Sequence, residues 1–132
     1  MTNDKKQTIL IVEDEPALLK AYVERFGEEG FSVLKAVNGQ EGFDAALKGK
    51  PDIILLDILM PVMDGLTMMQ KLRENKLWDK TVPIIFLTNL SANEERIMRI
   101  ITENKPAYYF SKSAFTLQAI VEKIKKELAK KV

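Results

Sequence analysis

Five polar residues stand directly behind apolar runs of this chain, and their types point to chemistry on a metal ion and on the phosphate such an ion awaits. Glu13 and Asp14 follow Thr-Ile-Leu-Ile-Val, and Asp57 follows Ile-Ile-Leu-Leu. Thr88 closes Pro-Ile-Ile-Phe-Leu-Thr, and Lys112 lies just beyond Ala-Tyr-Tyr-Phe. Three carboxylates brought together repel by about 4 kcal/mol per pair at roughly 4 Å in an effective dielectric near 20. They therefore need cations. Lys112 supplies one positive charge, and a divalent ion would supply two more against the three negatives. An all-oxygen donor set without His or Cys favours Mg2+, which keeps waters and typically awaits a phosphate oxygen. Asp57 raises the same demand by itself, because an ionised acid set against a buried run is costly unless something pairs with it.

Each of these residues has a plain structural reading when taken singly. Glu13-Asp14-Glu15-Pro16 suits an acidic first helical turn favoured by the helix dipole. Asp64-Gly65 reads as a turn, Thr88 as a strand end and Lys112 as a solvated lysine. The arrangement becomes informative only if the fold brings all five polar residues to one edge.

The elements that would do so alternate in two patterns. Short apolar runs occupy Thr8–Val12, Phe31–Ala36, Asp52–Leu56, Pro83–Leu87 and Ala107–Phe110. Three of them are nearly continuous in branched and aromatic residues, as in strands covered on both faces. Helical spacing separates them: Pro16 opens a stripe of Leu18, Leu19, Tyr22, Val23 and Phe26 that ends before Gly30. Further helices are predicted over Gly39–Lys48, Gly65–Lys76, Ser91–Asn104 and Phe115–Lys130, with Ser91 and Glu94 forming a capping box. Five strand–helix units predict an α/β fold, a doubly wound five-stranded parallel sheet with helices on both faces. In the order 2-1-3-4-5, strands one and three are neighbours, and the three acids converge on the crevice at the carboxyl edge. Trp78 should lie toward the opposite end of the sheet.

Composition narrows the remaining classes. A chain of 132 residues, 46% hydrophobic and 30% charged, suits one domain with a real core. The first seven residues read as a polar tail and 8–132 as the domain. Twenty basic and nineteen acidic residues leave a net charge of +1, which gives no push toward nucleic acid or a membrane surface. Without cysteine or histidine, thiol chemistry, the usual zinc sites and His-based acid–base catalysis drop out. No apolar run approaches membrane-spanning length and no signal-peptide core is visible, so a cytoplasmic protein is expected. The Lys-rich end reads as the solvated face of the last helix.

Taken together, "VEDE" at Val12–Glu15, "DILMPVMDG" at Asp57–Gly65, "LTN" at Leu87–Asn89 and "YFSK" at Tyr109–Lys112 make the chain resemble a receiver domain of the two-component response-regulator family over essentially its whole length. The resemblance implies a flavodoxin-like three-layer sandwich. It implies Asp57 as phosphoacceptor, and Glu13, Asp14, Asp57 and the Leu59 carbonyl as Mg2+ ligands. It implies Thr88 as the hydroxyl that moves to the phosphoryl group, Lys112 as its ammonium partner and Tyr109 as an aromatic switch. The donor implied is a phosphohistidine on a sensor histidine kinase. The output implied is a shift of the surface of the fourth helix, fifth strand and fifth helix toward a downstream protein effector or a phosphotransfer protein. No turnover of an external substrate is expected, and the state expected is a monomer or a weak, phosphorylation-dependent dimer.

Three departures from the family pattern carry expectations of their own. Ser113 follows Lys112 where the family usually has proline, so that loop is either rearranged or strained. Asn89 replaces a small residue beside Thr88. Apolar Leu59 and Leu90 occupy positions that influence how water reaches the phosphoryl group, which predicts slow loss of phosphate. Other readings fit less well. An aspartyl phosphatase would want a second Asp where Leu59 stands, and the acids would repel a flavin phosphate. A constitutive interaction module would not need all five site residues. A phosphorelay intermediate is the main rival.

Overall fold

In a computed structural model, which describes residues 6–88, 95–112 and 115–130, the two patterns resolve into ten alternating elements. They are β1 (Thr8–Val12), α1 (Pro16–Glu28), β2 (Ser32–Ala36), α2 (Gly39–Gly49), β3 (Ile53–Leu56), α3 (Gly65–Glu74), β4 (Ile84–Thr88), α4 (Glu95–Glu103), β5 (Ala107–Ser111) and α5 (Leu117–Ala129). All the strands are parallel, in the order β2-β1-β3-β4-β5. The sheet is doubly wound with helices on both faces, as the alternation predicted.

The continuous apolar runs are explained by the pleat. Successive side chains point to opposite faces, and both faces are covered. Leu10, Val12, Ile54, Leu56, Ile84 and Phe86 join Met68, Met69 and Leu72 of α3 in one core. Ile9, Ile11, Ile53, Leu55, Ile85 and Leu87 join residues of α1 and α5 in the other. Edge strand β2, with exposed Ser32 and Lys35, has only its last residue, Ala36, fully buried.

Helix ends depart from the apolar pattern by a few residues, for reasons of capping. Helix α5 starts at Leu117 rather than Phe115, capped by Thr116, whose hydroxyl accepts from the Ala119 N–H. Asn38 caps α2 and Asp64 caps α3 in the same way. The third helix stops at Glu74 rather than Lys76, because Asn75 turns the chain: its carbonyl accepts from Trp78 N–H and its side chain from Leu77 N–H. After α1 the chain turns through Gly30 at φ +95°, a conformation that L side chains rarely adopt. The predicted capping box of Ser91 and Glu94 lies outside the described residues. Among the described residues no helix is long and apolar enough to cross a membrane.

Helix α5 carries one buried charge. Glu127 accepts from Lys123 at 2.7 Å and Lys130 at 2.9 Å while almost wholly buried. Burial alone would raise its pKa, but bonds from Lys123, Lys130 and Tyr108 outweigh it and hold the carboxyl at about 2. That lies below its ordinary 4.5, so the ionised group stabilises the fold above about pH 4.5, and this is lost as pH falls toward 2. Glu127→Gln should therefore cost roughly 1 kcal/mol near neutrality, allowing for solvent screening. In urea titrations the gap to wild type should close between about pH 5 and 2.

Candidate functional site

Parallel strands send every carboxyl end to one edge, and the local sequence there sets each side chain. Backbone bonds extend the ladder just past β1 and β3. Glu13 N–H donates to the Ala36 carbonyl at 3.0 Å, and Asp57 N–H donates to the Val12 carbonyl at 3.1 Å. Both side chains are then delivered to the β1–β3 crevice, where Glu13 is 2% and Asp57 6% exposed. Asp14 follows Glu13 and is exposed. One carboxylate oxygen from each of Glu13, Asp14 and Asp57 lies within 4.8 Å of the others.

Lys112 closes the group from the far side of the sheet. Its Nζ stands 2.6 Å from Glu13 Oε1 and 3.0 Å from Asp57 Oδ2. The remaining oxygens of these acids bond to backbone: Leu59 N–H donates to Asp57 Oδ1 at 3.2 Å, and Glu15 N–H to Glu13 Oε2 at 3.1 Å. The cleft, about 460 Å3, is lined by these residues with Pro16.

The electrostatics follow from burial and pairing. Desolvation is the largest influence on Glu13 and pushes its pKa up, with the Asp57 charge adding to it; the bonds from Lys112 and Glu15 offset only part. For Lys112 burial acts downward, yet its bonds to Glu13 and Asp57 prevail and raise its pKa. The ammonium is thus held charged between two buried acids. Three clustered carboxylate oxygens with no nitrogen or sulfur donor fit a hard divalent cation such as Mg2+.

Thr88 closes β4 and pairs with Ser111 in register, next to Lys112 in the chain. Tyr109 pairs with Phe86 and is half-buried on the face shared with α4. Leu59 lines the cleft and is 59% exposed. Asn89, Leu90 and Ser113 lie outside the described residues.

Two contacts around the site had no counterpart in the apolar pattern. Gly65 sits against Asp57: a Cβ there would stand 2.2 Å from the Asp57 carbonyl oxygen, while Gly65 N–H donates to the Ile58 carbonyl. The Asp-Gly pair signals a turn, but not that the turn packs on the acid. Tyr22, within the apolar stripe of α1, lies close enough to feel the charges of the site; burial lifts its phenol to about 12, the Lys112 charge acting downward and those of Glu13 and Asp57 upward. In the same β3–α3 loop Val62 holds φ +67°, a left-handed conformation strained for a β-branched residue, with its side chain 82% exposed.

Fold and site together are those of a doubly wound α/β domain with a lysine-bridged acid cluster at the carboxyl edge of its parallel sheet. The sequence matches the response regulator receiver domain family over residues 9–125, and the chain belongs to that family, a component of two-component signalling. It is 36% identical over 117 residues to the Probable transcriptional regulator ycf29 of Porphyra purpurea, covering 89% of this chain and 54% of that protein. It is 42% identical over 92 residues to the transcriptional regulatory protein SrrA of Staphylococcus aureus, covering 67% of this chain and 35% of that one. The chain thus spans about half or less of these relatives. The signal receiver domain of a signal transduction histidine kinase from Syntrophus aciditrophicus superposes with a TM-score of 0.80 at 28% identity, covering 93% of this chain and 90% of that one.

Because the Gly65 contact is with backbone, it cannot be relieved by a side-chain rotation. Gly65→Ala should destabilise the fold by roughly 1–3 kcal/mol, read as a lower urea midpoint at unchanged slope.

Proposed function

We propose that the chain accepts a phosphoryl group on Asp57 from a phosphohistidine of a partner sensor histidine kinase. The observation that carries this is the Lys112 ammonium set between Asp57 Oδ2 and Glu13 Oε1, with the three acid oxygens clustered beside it. An Asp57 oxygen attacks phosphorus, the P–N bond to the donor imidazole breaks, and the imidazole leaves with the electron pair. Phosphoryl transfer asks chiefly for positioning and for neutralisation of the equatorial oxygens. Glu13, Asp14, Asp57 and the Leu59 carbonyl would hold Mg2+, which when bound supplies Lewis-acid neutralisation of those oxygens. Leu59 N–H already orients one Asp57 oxygen, and Lys112 is positioned to follow the added charge.

Phosphorylation adds acceptor oxygens and about one negative charge to Asp57. Lys112 then bonds the phosphoryl group, and the Thr88 hydroxyl moves to it from the end of β4. The shift opens space for Tyr109 and changes the surface of α4, β5 and α5. The partners in this account are the kinase and a downstream protein effector or phosphotransfer protein, with no nucleic-acid contact by the receiver unit of 8–132 itself. The protein is a monomer or a weak dimer formed on phosphorylation, in the cytoplasm, and its only chemistry is on its own Asp57.

Incubation with acetyl phosphate and Mg2+ should label wild type and leave Asp57→Asn unlabelled by intact mass; equal labelling of both would move the acceptor elsewhere. Leu59 exposes an apolar side chain at the cleft, which disfavours an ordered attacking water. Wild-type phosphoprotein should therefore last well beyond seconds in Mg2+ buffer, and Leu59→Asn should shorten its life several-fold in a phosphate-release assay. Rapid loss from wild type would contradict this.

A further inference from the structure

We propose that Arg73 makes the carboxyl end of α4 a fixed pivot, about which phosphorylation of Asp57 swings the amino end of that helix. The motion rests on the phosphoryl-transfer reading above; the anchor is read from the unmodified structure. Arg73 lies in the last turn of α3 and reaches two other segments. One amino nitrogen donates to the Asn104 carbonyl at 3.0 Å, just past α4, and the other to the Lys80 carbonyl at 3.3 Å, in the loop joining α3 to β4. Asn104 is tied in turn to the helix it follows: its N–H donates to the Ile101 carbonyl at 3.2 Å and its Nδ2 to the Ile100 carbonyl at 2.7 Å. A guanidinium offers its donors in a rigid fork, which suits two carbonyls held in place.

Packing does not account for an arginine here. Its Nε is buried without a partner, and among the described residues no carboxylate pairs with the guanidinium. An apolar side chain of similar length would fill the space without that unmet donor. What the charge supplies is a cation for α4. The last turn of that helix holds no basic residue of its own, and its carbonyls form the negative end of the helix dipole. The two ends of α4 are also held unequally by the core. Ile101, beside the anchor, is 2% exposed, whereas Ile97, one turn nearer the amino end on the same face, is only half-buried. The amino end follows β4, which closes on Thr88 at the carboxyl edge; Asn104 lies at the amino edge, before β5. A rod of nine residues, about 14 Å long, that is held at one end swings at the other.

Backbone NMR of the isotope-labelled full chain tests both parts, with intact mass scoring phosphorylation by acetyl phosphate and Mg2+. In the unmodified protein Arg73→Met should speed hydrogen exchange at Thr102, Glu103 and Asn104 roughly tenfold, as the loss of a hydrogen bond from a charged donor predicts, and leave β3 unchanged. In phosphorylated wild type, shift changes should be large at Ile97 and Met98 and small at Thr102, Glu103 and Asn104. In phosphorylated Arg73→Met they should become comparable along the helix at the same extent of labelling. Arg73→Lys keeps the charge but serves only one carbonyl, so it should fall between the two, and it replaces the methionine variant if that one does not fold. A purely structural arginine would lower the urea midpoint on substitution and leave the wild-type profile in place. An unchanged profile in the variants, exchange no faster than wild type, or equal changes at both ends of wild-type α4 would each overturn the pivot while labelling stands. Absence of labelling by mass would overturn the phosphoryl reading, and the pivot with it.

Discussion

The charge balance at the carboxyl edge of the sheet is the constraint around which this molecule is arranged. Glu13 and Asp57 are buried beside each other at the ends of neighbouring strands, a placement that would be strongly unfavourable for two bare carboxylates. Lys112 makes it tenable by bonding both. Its contribution is positional as well as electrostatic, since one ammonium fixes the mutual orientation of two acids and ties β5 to β1 and β3. With Asp14 added, the cluster carries more negative charge than one lysine neutralises. That excess fits a divalent cation.

Strand order is what brings these residues together. Placing β1 next to β3 puts Val12 and Leu56 in register, so the acids that follow them share a crevice. Burial of residues 9–12, 53–56 and 84–87 between the two helical layers supports that edge. The β3–α3 loop is then fitted closely over it. Gly65 lets the start of α3 touch the Asp57 carbonyl, and Gly39 N–H bonds the Met63 carbonyl to join the β2–α2 loop to the same surface. The strained backbone of Val62 lies within this tightly held loop, so surrounding bonds sustain a conformation that the residue alone would not adopt.

The two ends of the sheet differ in chemistry for a topological reason. At the carboxyl edge, strands lead into loops whose polar residues converge at the crevice. At the amino edge, helix ends and turns meet the strands, and apolar residues such as Trp78 and Val82 close the layer. The acids there are spent on backbone, as Asp52 is on Thr8 N–H. A carboxylate paired with the backbone and one set in a lysine-bridged acid cluster thus occupy opposite ends of β3.

Much of this was readable along the chain. Continuous apolar runs reported strands covered on both sides, helical spacing reported the layers, and the acids and lysine behind those runs reported a shared edge. These signals are local, because pleat and helical repeat act over a few residues. Other features came only from the folded chain. Lys112 reaches both Glu13 and Asp57, Gly65 packs on the Asp57 carbonyl, Tyr22 feels the charges of the site from within an apolar stripe, and the buried Trp78 indole N–H has no partner among the described residues. Lys112 and Asp57 are 55 residues apart, and no periodicity spans that distance. Residue types and their order determined which groups would reach one edge; close packing of distant segments decided which atoms touch, because contact geometry depends on neighbours that the local pattern does not encode.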